Sequence, residues 1–249
     1  MAMKIKIVFL LALIVVMSAV IMVRADETES ALTQDEIQYV NDNLDILYDS
    51  GIFKGYPGGE FNGENSVTRF ETGAVLTRFY GYLLDEMNAR GIEVMDFIDI
   101  RSPLDNPMDM TDIPENHWAY EELLRLEHMG VAGGYPDLEY KGPRNIDRYQ
   151  FSSMLLRVVV LVDFGLWEAE PGYNGGFTET HFAKPETIEG ASEDYWARTD
   201  VRRLIDTGEV EIAADGTVAG GMPFTRNEMA FVILNLMDKF SSELDKLAE

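Results

Sequence analysis

Apart from one long apolar stretch near the start, interrupted only by Ser18, hydrophobic positions in this chain come in short clusters at helical spacing. Tyr39 is followed by Leu44 and Leu47, five and eight positions on. Trp118 is followed in the same way by Leu123 and Leu126, and Trp196 by Val201 and Leu204. Residues so spaced share one face, so each set predicts a helix with one side turned to a core. Denser apolar runs come later in each case: Val75-Leu76, Met154-Leu155-Leu156 and Val232-Ile233-Leu234. These predict a second, more deeply buried helix.

The two patterns recur at a fixed offset. Adding 79 carries Tyr39, Leu44, Leu47, Gly51 and Arg69 onto Trp118, Leu123, Leu126, Gly130 and Arg148. Adding 78 more reaches Trp196, Val201, Leu204, Gly208 and Arg226. Each unit therefore reads as helix, glycine-rich loop, helix. Gly51, Gly130 and Gly208 stand where a left-handed C-terminal cap favours glycine. Gly55-Tyr56-Pro57 and Gly134-Tyr135-Pro136 predict turns, and Phe61, Tyr140 and Val218 are placed to anchor each loop to the core. Thr68, Asp147 and Thr225 are N-cap residues, with Glu71, Gln150 and Glu228 three positions later. That is the capping-box pattern.

The expected organisation is an all-α chain. Repeats cover 34–84, 109–163 and 192–240. An acidic linker, 85–108, and a Gly/Pro/aromatic insertion, 164–191, separate them as irregular segments, and 241–249 prolongs the last helix. The apolar run Ile7 to Val23, preceded by Lys4 and Lys6 and followed by Val23-Arg24-Ala25, reads as an export signal over 1–25, or else as an uncleaved anchor. Its removal would delete three cations and no acids, taking the net charge from -24 to -27. Ser152 to Leu166 is also apolar, but it is short and contains Arg157 and Asp163, so it reads as a buried helix.

Forty-four acids against twenty bases repel nucleic acid at long range, which argues against a nucleic-acid partner. The absence of cysteine excludes disulfides, thiolate metal sites and a cysteine nucleophile. His117, His128 and His181 have no metal-site spacing, and His117 is read as structural. Asp215-Gly216-Thr217 falls short of a calcium loop because Ala213 stands where an oxygen ligand is needed. No serine, phosphate-loop or metalloenzyme motif occurs, so no catalytic residue and no cofactor is assigned, and the chain is read as a non-enzyme.

The opening His117-Trp118-Ala119, the turn Gly134-Tyr135-Pro136-Asp137, and the helix starts Thr68-Arg69-Phe70-Glu71 and Thr225-Arg226-Asn227-Glu228 resemble the S-layer homology family. The resemblance implies three repeats in a pseudo-threefold arrangement around a central helical bundle, with grooves between neighbouring repeats. It implies an exported protein at the cell envelope or cell surface, on the periplasmic side of the wall in a diderm host. The implied partner is a cell-wall polysaccharide or peptidoglycan-linked glycan, often bearing ketal-linked pyruvate. The binding residues carried over are Arg69, Arg148 and Arg226, with Trp118, Trp196, Gly134 and Asp137. An arginine just after an N-cap stands where free helix N–H groups favour an anion, and its fork matches a carboxylate. An aromatic at a helical period is ordinarily a core residue, so Trp118 and Trp196 are read first as packing and second as glycan contacts. The rival reading is a helical scaffold that binds another envelope or S-layer protein without touching glycan.

Overall fold

A computed structural model of the chain describes residues 32–92, 108–169 and 223–248. The regular elements among them are helices: α1 (Gln34–Asp42), α2 (Leu44–Asp49), α3 (Arg69–Ala89), α4 (Tyr120–His128), α5 (Arg148–Ala169) and α6 (Arg226–Ala248). The described residues form an all-α fold, as their periodicity predicts. The export signal and the first helix of the third unit lie outside the described residues, as does most of the 164–191 insertion.

Helix α3 packs against α4, α5 and α6, and α1 packs against α6. The buried faces include Leu76, Phe79 and Leu83 of α3, Leu123 and Leu126 of α4, Leu155 and Val159 of α5, and Ile233 and Leu236 of α6. Ser152 to Val162 is largely buried within the protein, and no described helix is long and apolar enough to cross a membrane.

Three equivalent apolar residues meet where the long helices begin. Val67 N–H donates to Phe224 O (2.8 Å), Phe224 N–H to Ile146 O (3.0 Å), and Ile146 N–H to Val67 O (2.8 Å). These bonds close a ring, and all three residues are fully buried. A buried loop backbone needs partners, and here each unit supplies the next. Phe224 also stacks on Phe151 at 4.4 Å between ring centroids.

The helix signals act as expected at three starts. Thr68 and Glu71 form a full capping box on α3: Glu71 N–H donates to Thr68 Oγ1 (3.2 Å) and Thr68 N–H to Glu71 Oε2 (2.8 Å). Thr225 and Glu228 do the same for α6, and Asp147 accepts from Gln150 N–H at α5 (2.8 Å). Thr68→Ala removes the acceptor for one N–H group and should cost about 1 kcal/mol, read as a lower denaturant midpoint with an unchanged slope. Gly51 and Gly130 adopt φ +73° and +68°, the left-handed cap conformation.

The first helix of the first unit departs from expectation. It is two helices, because Asn43 leaves helical geometry (φ -117°, ψ 14°) and its side-chain amide donates to Tyr39 O at 2.8 Å. A side chain that bonds nearby backbone competes with the helix ladder. Leu47 is still fully buried and Leu44 packs on the core. Helix α3 also runs to Ala89, five residues into the expected linker, because Met87 is buried and continues the apolar face. Arg90 fastens that end: it bonds Glu86 (2.7 Å), Asp245 (2.7 Å) and Ser241 (2.8 Å), tying α3 to the tail of α6. Helix α5 likewise continues to Ala169, into the expected insertion, and Pro171 follows two residues on.

Candidate functional site

At two junctions between units, where the resemblance implies grooves, an arginine is buried against the neighbouring unit's loop. Arg69 opens α3 and reaches into the loop of the second unit. Its Nε donates to Tyr140 O (2.9 Å) and its Nη1 to Gln150 Oε1 (3.2 Å). The guanidinium lies 4.6 Å from the Tyr140 ring centroid and 5.1 Å from that of Tyr135. Tyr140 is fully buried, and its hydroxyl donates back to Arg69 O (2.9 Å). Burial pushes the Tyr140 hydroxyl up to about 12, so it remains a donor.

Arg226 opens α6 and repeats the arrangement against the loop of the first unit. Its guanidinium lies 4.6 Å from the Tyr56 ring centroid, 5.1 Å from Phe61 and 5.2 Å from Phe53. Nη2 donates to Lys54 O (2.7 Å), and Nη1 stands 3.7 Å from Glu71 Oε1. Tyr56 also donates its hydroxyl to Glu71, and burial followed by that bond raises it to about 12.

Both arginines are almost fully buried, 2% and 3% exposed. Sequence reasoning places them at free helix N–H groups, and the structure corrects this. At α3, Arg69 N–H donates to Arg144 O (2.9 Å) and Phe70 N–H to Gly142 O (3.1 Å). At α6, Arg226 N–H donates to Asn65 O (2.9 Å) and Asn227 N–H to Gly63 O (2.7 Å). The caps take the next N–H groups. The first-turn donors of both helices are thus consumed by neighbouring loops and by the caps. Any anion here must be met by side chains.

Trp118 is the second correction. It lies in the turn before α4, so it has no place on that helix's buried face, and it is 57% exposed. Its neighbours are aromatic. The Phe70 ring lies 6.3 Å away, edge-on, and the His117 ring 5.5 Å away. Phe70 in turn stands 4.2 Å from His117 and 5.9 Å from Tyr140. Gly142 makes room for Phe70, since a Cβ there would lie 2.1 Å from its ring. Phe70 thus links the exposed indole to the Arg69 groove.

Of the remaining candidates, Gly134 and Asp137 belong to the loop of the Arg69 groove. Tyr135 N–H donates to Glu139 O (2.8 Å) and Leu138 N–H to Tyr135 O (2.8 Å), closing the turn. A Cβ on Gly134 would stand 3.3 Å from Leu138 and from Met110. Asp137 accepts from Lys141 Nζ (2.5 Å), which holds its carboxyl below the usual range. Lys141 lies 4.6 Å over the Tyr135 ring. Arg148 opens α5, but its side chain, like Trp196 and the third loop, lies outside the described residues. Tyr39, the counterpart of Trp118, is half-buried and donates to Asp238 (2.9 Å), so it joins α1 to α6.

Sequence reasoning missed Tyr135, Phe70 and Gln150 as groove residues. Tyr135 and Tyr56 share one register position, a signal that was legible. It also missed the Thr33–Glu36 capping box of α1, visible as Thr-x-x-Glu.

Comparison with known proteins follows the same units. The family model for the S-layer homology domain matches residues 34–72 and 109–152. The chain is 27% identical over 139 residues to "Outer membrane protein alpha" of Thermotoga maritima, covering 54% of this chain and 32% of that one. It is 24% identical over 188 residues to "Cellulosome-anchoring protein" of Acetivibrio thermocellus, covering 76% of this chain and 36% of that one. It is 29% identical over 154 residues to "Cell surface glycoprotein 1" of the same organism, covering 61% of this chain and 5% of that one. The chain thus spans about a third or less of the length of these relatives. Residues 34–72 and 109–152, with their capped helices and interlocked loops, are thus two segments that match the S-layer homology domain.

Proposed function

We propose that the chain attaches to the cell envelope by binding a cell-wall glycan, a pyruvylated secondary wall polymer or a peptidoglycan-linked one, at the groove of Arg69 and Trp118. The observation that carries this reading is Trp118 itself. A large indole left 57% exposed and braced by Phe70 and His117 offers a flat face for a sugar ring. The relatives, an anchoring protein, a cell surface glycoprotein and an outer membrane protein, support an envelope location. The role is binding and anchoring, with no chemical step assigned to any residue.

Trp118→Ala is the direct test. The purified chain and this variant are sedimented with isolated wall sacculi that keep their polymers, and with sacculi stripped of protein. The variant should bind at least about tenfold more weakly, as expected for an aromatic anchor, while its unfolding midpoint stays put because the indole is exposed. Equal binding by both discards Trp118 as the glycan contact, and binding only to walls that retain protein gives the function to the protein-scaffold reading instead.

A further inference from the structure

The residue that follows each buried arginine seats over a glycine of the neighbouring unit's loop. Phe70 lies over Gly142 and Asn227 over Gly63, and a Cβ on either glycine would fall inside the side chain opposite. The backbones are pinned in the same way: Phe70 N–H donates to Gly142 O (3.1 Å) and Asn227 N–H to Gly63 O (2.7 Å). Gly63 and Gly142 are 79 apart, so the two hollows hold one register position. Tyr149 occupies the same place in the second unit, and its side chain lies outside the described residues.

The side chains over the two hollows differ, and so does the aromatic that opens the neighbouring unit. Asn227 is buried in its hollow and donates to Glu64 Oε1 (2.8 Å). There the opening aromatic, Tyr39, folds in against α6, edge-on to Phe231 at 5.8 Å and bonded to Asp238. Phe70 is too large for its hollow and stays half-buried. Its ring emerges to meet His117 at 4.2 Å and, edge-on, Trp118 at 6.3 Å. There the opening aromatic, Trp118, stands out in solvent. An indole gains free energy when its faces leave water, so the place it would sink into has to be occupied. Phe70 occupies it.

We propose that Phe70 is a positioning residue for the glycan contact: seated over Gly142, its ring is the wedge that holds Trp118 out in solvent, where the indole can meet the apolar face of a sugar ring. The identity of this one residue confines the aromatic shelf to the Arg69 junction. The aromatics described at the Arg226 junction, Tyr39, Phe53, Tyr56 and Phe61, are all buried or half-buried. The proposal rests on the glycan reading and deepens it, since it names what presents the contact.

The test is Phe70→Asn, which gives this junction the residue that the other carries over its glycine, so the packing has a precedent within the chain. Phe70→Val serves if that variant does not fold, since it stays apolar but is too short to reach Trp118. The chain has three tryptophans, so Trp118 emission is taken as the difference between each protein and its Trp118→Phe counterpart. In the parent, acrylamide should quench it freely. In either folded variant it should move to shorter wavelength and resist quenching, as the indole sinks into the space the ring has left. Binding to protein-stripped sacculi should fall by about tenfold, as for loss of the indole itself. A merely structural Phe70 would lower the melting temperature and leave the Trp118 emission of the folded protein unchanged. That result, or a shielded indole with undiminished binding, overturns the proposal, and the glycan reading then stands or falls with Trp118→Ala. Failure of the parent to bind stripped sacculi removes the glycan reading and, with it, the role of Phe70 toward a ligand.

Discussion

Phe224→Ala should remove about 4 kcal/mol from the unfolding free energy, the largest single effect expected among the described residues. Phe224 is fully buried and stacked on Phe151, so truncation forfeits the apolar transfer energy and leaves a cavity. The position makes relaxation difficult. Its backbone donates to Ile146 O and accepts from Val67 N–H, so the chain cannot shift inward without breaking the ring that joins the units. Chemical denaturation followed by far-ultraviolet circular dichroism will measure the loss. The near-ultraviolet signal should fall in the same transition, because the ring links helices α3, α5 and α6 into one cooperative body. Separate transitions by the two probes would show that the units unfold independently and that the ring holds little. Val67→Ala, at the equivalent corner, should cost less, in proportion to the smaller side chain removed.

The fold was largely legible because its signals are local. A glycine at a helix end, a threonine three residues before a glutamate, and aliphatics at helical spacing each act within one or two turns. Register across the repeats then amplified them. What was illegible depends on contacts between units. Nothing near Arg69 in the chain announces that Tyr140, seventy-one positions away, will accept its Nε proton. The N–H groups of the first turns read as available because a single helix start leaves them unpaired; the neighbouring loops that claim them belong to other units. Trp118 was misplaced for a different reason. Its spacing to Leu123 and Leu126 matches that of Tyr39 to Leu44 and Leu47, but Pro114 O accepts from His117 N–H (2.8 Å) in a turn, so the helix starts two residues after the indole. The Asn43 break is similar, since one side-chain amide overrides a periodicity that extends through it.

The arginines themselves therefore carry a double duty that an alanine substitution will expose. Arg69→Ala should cost about 3 kcal/mol of stability. It strands Tyr140 O in a buried site, removes the guanidinium from two aromatic faces, and empties the volume the stem filled. Lysine should restore less than half of that loss, because one ammonium cannot meet Tyr140 O and Gln150 Oε1 together in the fork geometry. The measurement is again a denaturant midpoint, for the parent, Arg69→Ala and Arg69→Lys side by side. A loss under about 0.5 kcal/mol for the alanine variant, the size of an ordinary surface change, would mean that the groove closes around the gap and that the arginine is held for its ligand alone. A loss near the expected size changes how binding data must be read. A folded fraction has to be established before weak wall binding by Arg69→Ala is credited to lost contact. For that reason the exposed Trp118 is the cleaner probe of the ligand, and Arg69 is the cleaner probe of how the second unit's loop is held in place.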